Sequence, residues 1–214
     1  MMGLYSGNIC IRSHQVRFVL SEKGIVTKID NFDGKKIPED LIALNPFATF
    51  PTLIDRELVL YDSRVIIEYI DERYPYPPLM PVSPVDRAKV RLALASLETD
   101  IVFPAIEFDH SIGTRIENSM RKKLRSALNA SADLFSVNKH FLNDDFTIID
   151  CVLAPILWRL DYFGINLTSD HKHMKDYMER VFSREAFQHS LTEDEEEMHP
   201  VSYTHLTLPT NREV

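Results

Sequence analysis

The chain has 214 residues and a formal net charge of −8, with 44% hydrophobic and 26% charged residues, which describes a globular protein of one large domain or two small ones around a shared core. The acidic balance argues against general nucleic-acid binding through phosphate neutralisation, and no apolar run approaches the length of a membrane span. Cys10 and Cys151 are too far apart for a CxxC pair or a metal cluster, and the start lacks the basic and apolar regions of a secretion signal, so the expected compartment is the reducing cytoplasm.

In chain order, residues 3–6 form a short strand candidate. Residues 13–23 read as a helix with Val16, Val19 and Leu20 on one face, Arg17 and Glu22 outside, and Gly24 as its terminator. A β-rich run covers 25–32, and Pro38 opens a helix through Leu41, Ile42 and Leu44 that stops before Pro46. Pro51 cannot donate to a ladder, so it belongs where a strand begins, and its X-Pro bond is a candidate for the cis form. Strands near 52–54 and 58–60 lead to a helix ending near Arg73, capped by Asp62 or Ser63. The order over residues 1–74 is β-α-β-α-β-β-α. A special proline beside a helix N-terminus presents free backbone donors, a setting that suits a carboxylate.

Five prolines within residues 74–84 forbid regular helix and mark 75–84 as an extended connector and domain boundary. Residues 85–198 read as all-helical. Val90, Leu94, Leu97 and Ile101 space out a long helix that Pro104 should kink or break, and Met120, Leu124, Leu128 and Phe135 mark a second. Thr147 and Asp150 have capping-box spacing, with Asp in place of Glu, at the start of a third helix. Its Ile149, Val152, Leu153, Ile156, Leu157 and Leu160 are apolar on more than one side, which predicts the buried centre, and Pro155 should kink it. Met174, Tyr177, Met178, Val181 and Phe182 make a fourth. Residues 199–214 follow an acidic stretch and continue neither pattern; they read as a non-native tail outside the fold.

Several blocks carry a family likeness: Tyr5-Ser6-Gly7, Ser13-His14-Gln15-Val16-Arg17, Pro51-Thr52-Leu53, Asp55-Arg56-Glu57-Leu58, Ser63-Arg64, Asp71-Glu72-Arg73, Pro77-Pro78-Leu79-Met80-Pro81-Val82 and Ala154-Pro155-Ile156-Leu157-Trp158-Arg159-Leu160. They resemble the stringent starvation protein A family, within the glutathione S-transferase superfamily, over nearly all of residues 3–198. The resemblance implies a mixed α/β plus all-α, glutathione S-transferase-like fold, with a thioredoxin-like N-terminal domain and a C-terminal helical bundle. It implies no enzyme and no cofactor, but a bacterial transcription regulator that docks on RNA polymerase, with its sigma factor, in starvation, acid-stress and virulence programmes. Such proteins pair as homodimers, some as heterodimers with a paralogue. Pairing would use one edge of the first domain and the first long helices of the second, without sequence-specific contact to DNA. The family's docking surface maps to Pro75, Tyr76 and Pro77, with Pro78 beside them. Tyr76 stands where a histidine is usual; it keeps an aromatic face and a polar tip but not a titrating imidazole.

The alternative is a glutathione-dependent transferase or an omega-like thiol reductase. For that, Phe50 beside a cis Pro51 would offer its backbone to the cysteinyl part of glutathione, and Asp62 with Ser63 would hold the γ-glutamyl end. The thiolate stabiliser would be Ser6 or Tyr5, or the reactive thiol would be Cys10 itself near the first helix N-terminus. Ile11 departs from the proline such enzymes carry, and no resolving cysteine follows. Under the docking reading these groups are a vestigial glutathione site, and Thr147 and Asp150 are structural. Arg121, Lys122, Lys123 and Arg125 read as a solvated face, His171 and His173 lack support for a metal site, and His14 reads as a hydrogen-bonded packing residue. Cys151 is expected buried and inert, with Trp158 and Arg159 in the helical core and at its edge.

Overall fold

The computed structural model describes residues 2–34 and 37–199. Its first half is built on a four-stranded sheet of order β2-β1-β3-β4, formed by β1 (Met2–Gly7), β2 (Lys28–Phe32), β3 (Thr52–Asp55) and β4 (Leu58–Leu60). β1 runs parallel to β2 and antiparallel to β3, and β3 pairs antiparallel with β4. The crossover helix α1 (Ile11–Glu22), α2 (Glu39–Leu44) and α3 (Ser63–Arg73) complete the expected β-α-β-α-β-β-α order. Asp62 caps α3 by accepting from the Arg64 N–H at 2.9 Å. The Phe50-Pro51 bond is cis, and so is Tyr76-Pro77.

The helical half contains α4 (Pro84–Leu97), α5 (Phe103–Ser111), α6 (Glu117–Ser131), α7 (Ile148–Trp158) and α8 (Lys172–Phe182). Pro104 does not break the helix: lacking an N–H it cannot continue the regular ladder, and the helical backbone runs from α4 through a π-helical turn (Glu98–Val102) into α5, with the proline in its first turn. α7 is the buried centre, with every residue from Ile148 to Trp158 shielded, and Pro155 lies inside it. Two short helices, α9 (Glu185–Ser190) and α10 (Glu193–Glu196), were not expected from periodicity; at six and four residues they are too short to show any. Among the described residues, no helix is long and apolar enough to cross a membrane.

Two sequence expectations are reversed in α1. Arg17 does not face outward but is buried, and the Glu22 side chain is shielded and held by the Arg184 guanidinium. The periodicity rule supposes one solvent face, whereas α1 packs against α3 on one side and α7 and α9 on the other. His199, expected in the tail, packs against Trp158 in a tilted arrangement, 3.9 Å between ring centroids; the rest of that stretch, 200–214, lies outside the described residues.

Candidate docking surface and thiol cleft

The connector presents Pro75, Tyr76, Pro77 and Pro78 together, all exposed, with Tyr76 at 82%. After Pro78 the chain turns inward: Leu79 and Met80 are buried, and the Leu79 carbonyl accepts from Ile148 N–H at 2.9 Å, tying the connector to the start of α7. Thr147 and Asp150 meet as the spacing predicts. The Thr147 hydroxyl accepts from Ile149 N–H, and the Asp150 carboxylate accepts from Thr147 N–H at 2.8 Å. A groove of about 510 Å³ runs beside the prolines between residues 78–82 and 143–147.

The second candidate site is a cleft of about 470 Å³ at the junction of the two halves, where Gly7, Cys10, Phe32 and Phe50 face Ile106 and His110 of α5. Cys10 is half-buried in the N-cap position of α1, and its Sγ lies 3.9 Å from the Phe50 carbonyl oxygen. Gly7 permits this approach, since a Cβ there would fall 2.8 Å from that of Cys10. Tyr5, Phe32 and Phe50 form a stacked series, with centroids 5.9 and 5.5 Å apart, of which Phe32 and Phe50 line the cleft. The stack escaped sequence reading because its members come from separate elements.

Not every residue of the sequence-predicted glutathione site converges there. Pro51, Asp62 and Ser63 do not line the cleft. Pro51 and Ser63 are buried. The Arg64 guanidinium, 2.6 Å from the Asp62 carboxylate, holds that carboxyl below its usual range. Ser6 is fully buried, and its hydroxyl accepts from Arg17 at 2.5 Å, so it is turned away from the thiol cleft.

Beneath the loop carrying Cys10 lies a buried polar cluster. Arg17 donates to the Glu195 carboxylate at 2.5 Å, to Ser190 O at 2.8 Å and to Gly7 O at 3.2 Å. Arg159 pairs with the other Glu195 oxygen and donates to Ile9 O at 3.1 Å. It is therefore at the centre of the interface and not at the edge of the core. His14 accepts from Arg159 at Nδ1 and donates from Nε2 to the Ser190 hydroxyl at 3.0 Å, which itself donates to Phe187 O. Burial first, then the Arg159 and Arg17 charges, holds His14 well below its usual pKa, so it is neutral. Two guanidiniums thus share one carboxylate, and they fix the backbone on both sides of Asn8. Thr192 adds a bond from its hydroxyl to Asn8 O at 2.7 Å.

Of the remaining candidates, Lys122, Arg125 and His173 are exposed, and others are engaged by the protein's own groups. Arg121 bonds Glu117, Asn118 and the Phe163 carbonyl, Lys123 pairs with Glu107, and His171 bonds Asn129 and Thr168. Cys151 is buried, and burial pushes its thiol pKa well up.

Family models for the glutathione S-transferase N-terminal domain and C-terminal domain match residues 9–73 and 86–180. A glutathione S-transferase from the Antarctic clam Laternula elliptica superposes with a TM-score of 0.81 at 21% identity, over 92% of this chain and 94% of that one. The chain is therefore a protein of the glutathione S-transferase fold. Within that fold it is 45% identical over 202 residues to the stringent starvation protein A homolog of Coxiella burnetii, covering 94% of this chain and 96% of that relative. It is 30% identical to glutathione S-transferase omega-2 of Mus musculus, over 80% of this chain and 70% of the mouse protein. The chain belongs to the stringent starvation protein A family.

Proposed function

We propose that this protein is a non-enzymatic docking module that binds bacterial RNA polymerase holoenzyme, core enzyme with sigma factor, through the connector, and alters promoter use without reading DNA itself. The observation that carries this reading is the Tyr76 ring, 82% exposed between prolines on an anchored loop. A rigid aromatic flanked by prolines loses little conformational entropy on binding, the usual character of an interface hot spot. The net charge of −8 favours a protein partner over a phosphate backbone. The module is proposed to act as a homodimer. Val85 and Leu92, exposed apolar residues of α4, the first long helix of the second half, support that reading.

Replacing Pro75, Tyr76 and Pro77 together by alanine should weaken capture of purified RNA polymerase holoenzyme about thirtyfold or more, with the circular-dichroism spectrum unchanged. Undiminished capture by the folded variant would remove the connector as the docking face. Sedimentation of the unmodified protein at the mass of one subunit would remove the pairing.

One observation favours a second reading: Cys10 opens into a cleft opposite the Phe50 carbonyl, beside a cis Pro51. As a glutathione-dependent transferase or thiol reductase, the protein should bind reduced glutathione in calorimetric titration at one per subunit. Its thiol-transfer activity should disappear in Cys10→Ser. Absence of heat at millimolar glutathione would dispose of this reading.

A further inference from the structure

The prolines at 75, 77 and 78 restrict φ but have no N–H to bond with, so they stiffen the connector without anchoring it to the fold through their own amides, and the anchoring must come from other groups. Those groups are a buried ion pair. Lys23, at the C-terminal end of α1, has a side chain with no solvent exposure, and its ammonium lies 2.5 Å from Oδ1 of Asp71 in α3. The ammonium also donates to the Tyr74 carbonyl at 2.8 Å and to the Pro77 carbonyl, so all three of its protons are used. Asp71 in turn accepts from the Leu79 N–H at 2.8 Å and the Met80 N–H at 3.2 Å.

We infer that Lys23 and Asp71 are the positioning residues of the docking face: the pair clamps the connector on both sides of Tyr76 and turns that ring toward the partner. The inference rests on the reading of the connector as the docking surface. Each ion spends its remaining hydrogen bonds on the loop, at the carbonyls of Tyr74 and Pro77 and the amides of Leu79 and Met80. A compact ammonium suits two carbonyls and one carboxylate, which a planar guanidinium would not. An ion pair that served stability alone would be replaceable by apolar residues without consequence for binding.

The test uses the full chain in three forms: Lys23→Met with Asp71→Asn, which leaves no unpaired buried charge; Tyr76→Ala; and all three substitutions together. In the paired variant, Trp158 fluorescence and far-ultraviolet circular dichroism should match the parent. The Leu79 and Met80 amides should exchange with deuterium about tenfold faster or more, and affinity for purified RNA polymerase holoenzyme should fall about tenfold. In the triple variant, affinity should be no lower than in Tyr76→Ala, since the pair acts through that ring. Unchanged amide exchange would overturn the inference. So would full polymerase affinity in the paired variant while Tyr76→Ala binds poorly, or an added loss in the triple variant. Full affinity in Tyr76→Ala would instead show that the connector is not the docking face, a different failure from the other three.

Discussion

Replacing Glu195 by glutamine should cost about 3–5 kcal/mol of stability, the range found when one member of a buried ion pair is removed. Glu195 is the one carboxylate shared by Arg17 and Arg159, and none of the three side chains is more than 3% exposed. His14 cannot compensate, because burial and the same two arginines keep it neutral. The substitution therefore leaves two guanidiniums in the interior with an amide oxygen where a full charge stood. In a chain of this length the loss corresponds to a fall in melting temperature of roughly 6–20 °C. Trp158, the only tryptophan, donates to the Glu195 carbonyl at 2.8 Å and is a built-in fluorescent reporter for unfolding. The control is Glu193→Gln in the same helix, an exposed site where the change should stay within about 0.5 kcal/mol. Equal stabilities for the two variants would mean that α10 does not hold its buried carboxylate against α1.

That cluster also marks where sequence reading ended. The thioredoxin-like order, the connector, the central α7 and the capping pair of Thr147 and Asp150 were legible, because each is carried by short-range pattern or by the fixed chemistry of proline. The buried ion pairs were not. Arg17 and Glu195 are 178 residues apart and Lys23 and Asp71 are 48 apart, and no local rule couples them. Glu195 sits within an acidic run, and the partners of Arg17 come from both halves of the chain, Ser6 and Gly7 of β1 and Ser190 and Glu195 near the C-terminal end. Thr192 and Glu195 did carry a signal, the three-residue spacing of a capping box, which the fold satisfies in full. Of the candidate groups, residues 75–78 share one exposed stretch, and Cys10 and Phe50 line one cleft that Asp62 and Ser63 do not line.

Asp150→Ala should be about as damaging, also about 3–5 kcal/mol, although no ion pair is involved. The Asp150 carboxylate is fully buried and accepts from Thr147 N–H at 2.8 Å, Phe141 N–H at 3.1 Å and the Tyr177 hydroxyl at 2.8 Å. Truncation orphans three donors inside the core, each worth about 1–3 kcal/mol when left unpaired, with partial relief as the site relaxes. Asp150→Asn separates the contribution of the acceptors from that of the charge. Burial raises the Asp150 pKa despite the donors that oppose it, so the folded state binds this proton more readily than the unfolded one. The charged form is thus penalised by folding, and the group's contribution to stability is greatest below its unfolded pKa and declines as pH rises toward the folded one. A neutral side chain of the same shape escapes that penalty and keeps one oxygen acceptor, so Asn should cost distinctly less than Ala at neutral pH. Urea unfolding of the two variants measures the difference, and equal losses would mean that charge, not acceptor geometry, holds the box together. Because Ile148, whose N–H bonds the Leu79 carbonyl, lies in the same first turn as this carboxylate, the Ala variant should also loosen the connector, seen as faster exchange at Ile148 before global unfolding.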